Sequence, residues 1–291
     1  MKTCDEYRKT VNGALIPTLR SIGKVPERLM ESMAYSLDAG GKRLRPVMLL
    51  AACEMAGGTE EEALPFACAL EMIHTYSLIH DDLPALDNDD LRRGKPTNHT
   101  VFGEAGAILA GDGLLNTAAE LMARSAAKRG DLRGVRAIEC VMRHAGVTGM
   151  IGGQSVDVLS EGQKPAADTV QYIHEHKTAD LLEAAVEAGL ILGGASREET
   201  ETGRQFALHF GLAFQITDDL LDVTGDAALM GKNTGMDAEQ DKMTWVALKG
   251  IEQAREDAKE QVRLALDALE KLPWDTGLYR ELTESLTDRK T

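Results

Sequence analysis

Apolar residues recur at helical spacing along most of this chain. The run from Val47 to Met55, the stretch from Met72 to Ile79, the stretch from Phe210 to Ile216 and the charge-alternating segment 252–272 each keep apolar side chains three or four positions apart, the period of an α-helix. Gly162 and Pro165 mark segment 160–168 as a connection between helices and not as a domain boundary. No repeat or low-complexity tract interrupts the pattern, and no apolar run reaches the roughly 18 to 20 residues of a membrane span. The pattern predicts an almost wholly helical protein.

Two of these apolar stretches run directly into aspartates. The first ends in Asp81-Asp82-Leu83-Pro84-Ala85-Leu86-Asp87 and the second in Asp218-Asp219-Leu220-Leu221-Asp222. Carboxylates on otherwise apolar helices line an interior or a cleft, where they repel one another and raise each other's pKa unless positive charge is supplied. An oxygen-only ligand set, with no Cys or clustered His, suits a hard divalent cation such as Mg²⁺, which is normally shared with substrate phosphates. Asp218 and Asp222 are four apart and project from one face of a regular helix, with Asp219 flanking them. Asp81 and Asp87 are six apart, and Pro84 lacks the N–H that would bond the carbonyl of His80. The first helix must therefore loosen or end near Pro84, letting Asp87 swing back toward Asp81.

Composition narrows the class. The chain has 291 residues, 43% of them hydrophobic and only 4% aromatic, which favours helices over sheets. A net charge of −15 opposes non-specific nucleic-acid binding. Cys4, Cys53, Cys68 and Cys140 have no paired spacing and read as reduced, inert thiols. The N-terminal residues are charged and lack a signal-peptide core, so a cytoplasmic protein without membrane insertion is expected.

Anion binding on such an acidic chain requires local cations, and they come in clusters. Gly40-Gly41-Lys42-Arg43-Leu44-Arg45-Pro46 opens an apolar helix, and Lys42 and Arg45, three apart, converge on one anion. The glycine spacing and the missing Lys-Ser/Thr ending exclude a Walker loop. Leu91-Arg92-Arg93-Gly94-Lys95-Pro96 follows the first aspartate motif. Lys177-Thr178, Lys232 in a glycine-punctuated loop and Lys242 form a third set. Metal plus guanidinium around a phosphate explains both signs of charge at once.

Taken in order from about residue 40 to 245, these motifs, with 73–94, Gly152-Gly153-Gln154, Lys177-Thr178 and 214–222, closely resemble the all-trans short-chain polyprenyl diphosphate synthases, above all the bacterial farnesyl diphosphate synthases. The resemblance implies a single all-α domain over residues 1–291, about ten helices around a deep central cavity, a homodimer and three Mg²⁺ ions. By the same resemblance Asp81, Asp87 and Asp218 coordinate the ions, with Asp82, Asp219 and Asp222 as further ligands or their supports. Arg92, Lys177, Lys232 and Lys242 would hold the allylic substrate, dimethylallyl or geranyl diphosphate. Lys42, Arg45, His74 and Arg93 would hold isopentenyl diphosphate. Thr178 and Gln215 would steady an allylic cation, and Lys177 would act on the leaving diphosphate. The reaction implied is condensation to farnesyl diphosphate, with a geranylgeranyl diphosphate synthase as the alternative.

Product length points to Tyr76, five residues and about 7.5 Å of helix before Asp81, with Ser77 beside it. In the resembled family an aromatic there accompanies a fifteen-carbon product. A terpene cyclase would need no second diphosphate site, and a non-catalytic subunit would have lost one aspartate motif. His174 and His176 find no third zinc ligand nearby in sequence and are expected as exposed helix residues. The small residues Gly103, Gly106, Ala107, Ala110, Gly111 and Gly113 suit close helix packing, inside the fold or at a dimer contact equally.

Overall fold

The computed structural model describes residues 2–164, 166–224 and 242–287. Helix α4 (Glu60–Asp81) is its axis. Thr59 and Glu62 form a capping box, and Glu60, Glu61 and Glu62 meet the positive end of the helix dipole. From Ala63 to Ile79 it buries residues on every side, the mark of a helix enclosed by others.

Three neighbours enclose it: α3 (Leu44–Met55), α6 (Glu104–Arg129) and α10 (Asp180–Gly193), with α10 seated mainly on α3. That seat depends on small residues. A Cβ at Gly189 would lie 2.4 Å from the carbonyl oxygen of Leu49, and one at Gly193 2.5 Å from that of Cys53. The small residues of α6 act the same way. Ala107, Ala110 and Gly111 are buried, and a Cβ at Gly111 would meet His80 Nε2 at 2.1 Å. Their use at these positions is internal packing.

The long helix α11 (Arg197–Thr224) packs along α13 (Ile251–Leu269) and α10. Helices α1 (Cys4–Arg20), α2 (Glu27–Leu37), α5 (Asn98–Phe102), α7 (Leu132–Ala145), α8 (Met150–Ser160), α9 (Ala167–Ile173), α12 (Trp245–Lys249) and α14 (Gly277–Glu284) complete the described residues. Residues 174–179 are wound as a π-helical turn between α9 and α10, with no break in the chain. None of these helices is long and apolar enough to cross a membrane.

The all-α expectation meets one small addition, an antiparallel ribbon pairing β1 (Leu91–Arg92) with β2 (Lys95–Pro96). Arg93 (φ 54°) and Gly94 (φ 73°) are both left-handed, the geometry of a tight hairpin turn. The ribbon turns the Arg92-Arg93 pair back toward α4.

Candidate functional site

Helix α4 ends at Asp81, and Asp87 returns to it. The Asp87 amide donates to the Asp81 carbonyl oxygen at 2.9 Å, while the Leu86 and Asn88 amides bond Leu83, so 82–88 is a compact turn at the helix end. Asp81 accepts a hydrogen bond from Gln154 Nε2 of α8. Burial pushes its carboxyl pKa up, Asp87 adds to that, and Lys177, Lys242 and Arg92 pull against it. Asp82 is buried and held by Arg92, with Nε at 2.6 Å and Nη2 at 2.5 Å. Even so, burial raises Asp82 to about 6.

The second motif lies within an unbroken helix. Asp218 is half-buried on α11 within electrostatic reach of Arg45, and Asp222 is buried one turn on. Asp219 accepts from Gln215 Nε2 at 2.8 Å on one oxygen. Its other oxygen accepts the Trp245 amide at 2.7 Å and faces His174 Nε2 at 3.2 Å. Asp82 and Asp219 thus each bond protein groups.

The segment just before α12 ties the two motifs together. Lys242 Nζ bonds Asp87 of the first at 3.0 Å, and three residues on, the Trp245 amide bonds Asp219 of the second. Lys177, in the π-helical turn, bonds Asp157 of α8 at 2.5 Å and carries a pKa raised above the ordinary value: burial alone would lower it, but Asp81, Asp157 and Asp87 outweigh that. The turn crosses α8 at Gly153, where a Cβ would lie 2.2 Å from the Lys177 nitrogen. Such π-turns are frequent at functional sites. Thr178 donates to Gln215 Oε1 at 2.7 Å, completing a chain from Thr178 through Gln215 to Asp219.

A separate cationic cluster lies beside α4. Arg43, in the left-handed region (φ 51°), turns inward to bond Glu71 at 2.6 Å, the Leu37 carbonyl at 2.7 Å and Asn12 at 3.0 Å. This buried pair fixes the loop whose Lys42 and Arg45 flank it. Arg93 donates to the Gly40 carbonyl and lies over Gly41, where a Cβ would meet its guanidinium carbon at 2.6 Å. Burial drives the Arg45 pKa down to about 10, and its Nε is buried with no partner among the described residues. Burial, then Arg45, Arg93, Arg92 and Arg43, hold His74 well below its usual value, so it is neutral at pH 7. An orphaned guanidinium N–H beside a neutral imidazole and several arginines asks for an anion.

Among the described residues no three of the aspartates bring carboxylate oxygens within 4.8 Å of one another; as oxygen donors, Asp81, Asp87 and Asp218 are of the type a hard divalent cation would use. Tyr76 is buried in α4, and Ser77 bonds the His74 carbonyl at 2.9 Å. Lys232 lies outside the described residues.

Sequence reasoning missed three residues and left a fourth, Gln154, without a role beyond its motif. Gln154 and Asp157, three apart on α8, reach Asp81 and Lys177; that spacing was the available signal. Arg43 was read only as part of a basic run. His174, expected to be exposed, is buried, bonds Asp219 and stacks on Trp245 with ring centroids 5.4 Å apart.

An all-helical frame with two aspartate motifs and two cationic clusters defines an enzyme that handles diphosphates beside an apolar interior. The chain belongs to the polyprenyl synthetase family, whose sequence model matches residues 26–273, and it is a short-chain prenyltransferase. It is 45% identical to a farnesyl diphosphate synthase of Bacillus subtilis over 98% of this chain and 96% of that protein. It is 49% identical to a chloroplastic geranylgeranyl pyrophosphate synthase of Capsicum annuum over 90% of this chain and 70% of that protein. Its fold superposes on a geranyltransferase from Legionella pneumophila with a TM-score of 0.86 at 32% identity, covering 98% and 96% of the two chains.

Proposed function

We propose that this chain condenses isopentenyl diphosphate with dimethylallyl and then geranyl diphosphate to give farnesyl diphosphate. The observation that carries the product length is Tyr76. Its ring is buried, edge-on to His80 at 5.8 Å, and it stands five residues before Asp81 on α4, where in this reading it floors the space for a growing chain. Geranylgeranyl diphosphate synthases are relatives at similar identity, so the twenty-carbon product is the second reading.

In this reading the cluster of Lys42, Arg45, His74 and Arg93 anchors isopentenyl diphosphate, while Arg92, Lys177, Lys232 and Lys242 hold the allylic diphosphate. Asp81, Asp87 and Asp218 would hold divalent cations, three Mg²⁺ by family likeness, which neutralise charge developing on the leaving diphosphate. Lys177 draws on the same charge. The Thr178 hydroxyl proton points to Gln215, so its oxygen lone pairs stay available to an allylic cation, and the Asp219 carboxylate polarises that chain further. The anchored double bond attacks the cation, and the proton lost leaves with the diphosphate. No protein nucleophile is needed.

Assembly as a homodimer is part of the proposal. Val101 on α5 and Ile108 and Leu109 on α6 are exposed apolar side chains that such a contact could cover, and light scattering of the purified protein tests it. The deciding experiment for function incubates the protein with Mg²⁺, dimethylallyl diphosphate and isopentenyl diphosphate and measures product chain length. Fifteen carbons are expected from the wild type and longer chains from Tyr76→Ala. A twenty-carbon wild-type product, or an unchanged product in the variant, removes Tyr76 as the floor.

A further inference from the structure

Away from the cleft, α7 and α10 enclose a second polar cluster. Cys140 and His144 are one helical turn apart on α7, and Glu187 faces them from α10. Their ligand atoms all lie within 4.8 Å of one another, the one such convergence among the described residues, and both α7 residues are buried. His144 Nε2 is 2.9 Å from Glu187 Oε2, and the Cys140 Sγ lies within 4.8 Å of both. On the far side of the ring, His144 Nδ1 bonds Asp180 Oδ1, and Asp180 Oδ2 is 2.7 Å from His176.

We propose that Cys140, His144 and Glu187 form a zinc site. Thiolate, imidazole and carboxylate together are a borderline-soft set that selects Zn²⁺ over Mg²⁺. Tetrahedral ligands about 2.0 to 2.3 Å from zinc sit roughly 3.3 to 3.7 Å apart, so the trio must open by only a few tenths of an ångström at its closest pair. Asp180 on Nδ1 fixes the tautomer that presents Nε2, the carboxylate–histidine–zinc arrangement of bound sites. Arg143, a half-exposed side chain 3.2 Å from Glu187 Oε2, would have to give up that ion pair when the carboxylate binds metal.

Around the trio, the carboxylates of Asp180, Glu183 and Glu187 lie among His144, Arg143 and Arg204.

Cobalt separates this site from the aspartates. Oxygen ligands give Co²⁺ no sulfur-to-metal transition, whereas Cys140 would give an intense near-ultraviolet band on the wild-type protein. One equivalent of Co²⁺ should develop that band, Zn²⁺ should abolish it, and Glu187→Gln should weaken Co²⁺ binding at least tenfold by the same band. Cys140→Ser should lose the band while keeping its prenyltransferase activity. No band in the wild type, or a band that survives Cys140→Ser, overturns the proposal.

Discussion

The two aspartate motifs look alike in sequence and are built differently. The first sits where a helix stops, and its charges face cations: Arg92 on Asp82, Lys242 on Asp87, Lys177 near Asp81. The second rides an uninterrupted helix, and its middle residue bonds a backbone amide, a side-chain amide and an imidazole. In both, the second aspartate of the leading pair is among the most buried and is held by the protein. Paired letters in a sequence therefore conceal different surroundings, and under the proposed function substitutions should separate aspartates that hold cations from those the protein holds.

The largest effect is expected at a ligand. Asp81→Ala should slow turnover in a magnesium-dependent condensation assay by roughly a thousandfold, about 4 kcal/mol of lost charge stabilisation. Activity within tenfold of wild type would put Asp81 among the aspartates the protein holds.

Next comes a pH effect at Asp82. Its pKa is raised in the fold to about 6, so the folded state prefers the protonated acid. A raised carboxylate pKa leaves stability intact below the unfolded value near 4 and erodes it as pH climbs from there to about 6, by on the order of 3 kcal/mol at most. Asp82→Asn removes that titration. Denaturant unfolding of metal-free wild type and variant should show the difference between them changing over this window and flat above it; parallel curves throughout would contradict the assignment.

Asp219→Asn should then cost stability more than chemistry. The amide keeps the shape but has only one oxygen, so either Trp245 N–H or Gln215 loses its acceptor, at about 1 to 3 kcal/mol. Thermal unfolding should record this while the magnesium concentration for half-maximal rate stays within about twofold. A large rise in that concentration would return Asp219 to the ligands.

How much of this was legible beforehand follows the same division. The helical class, the end of α4 ahead of Pro84 and the return of Asp87 were readable, because periodicity and a missing proline N–H act locally. The cationic cluster was readable as composition, since Lys42 and Arg45 share a helix start. What escaped were bonds between residues distant in sequence. Gln154 meets Asp81, Asp157 meets Lys177, and His174 meets Asp219 only after α8, the π-turn and α11 have packed. Nothing in the local spelling of His174 distinguishes it from a surface histidine. The ribbon at residues 91–96 was hidden because Arg93 takes a left-handed conformation that its side chain does not advertise.

The smallest effect tests the segment that joins the motifs. Lys242 bonds Asp87, so it competes with any cation for that carboxylate, and under the proposed function it would offer positive charge to an allylic diphosphate once a cation takes its place. Lys242→Met keeps the stem and removes only the charge. Two opposite changes should follow: the KM for geranyl diphosphate rises about tenfold, near 1.4 kcal/mol, while the magnesium concentration needed for half-maximal rate falls, because Asp87 no longer has to leave a lysine. Trp245 and Asp219 should be untouched, so the unfolding temperature should hold within a degree or two. If KM and the magnesium requirement rise together, Lys242 is instead positioning Asp87 for its cation, and the first motif depends on the second for its geometry.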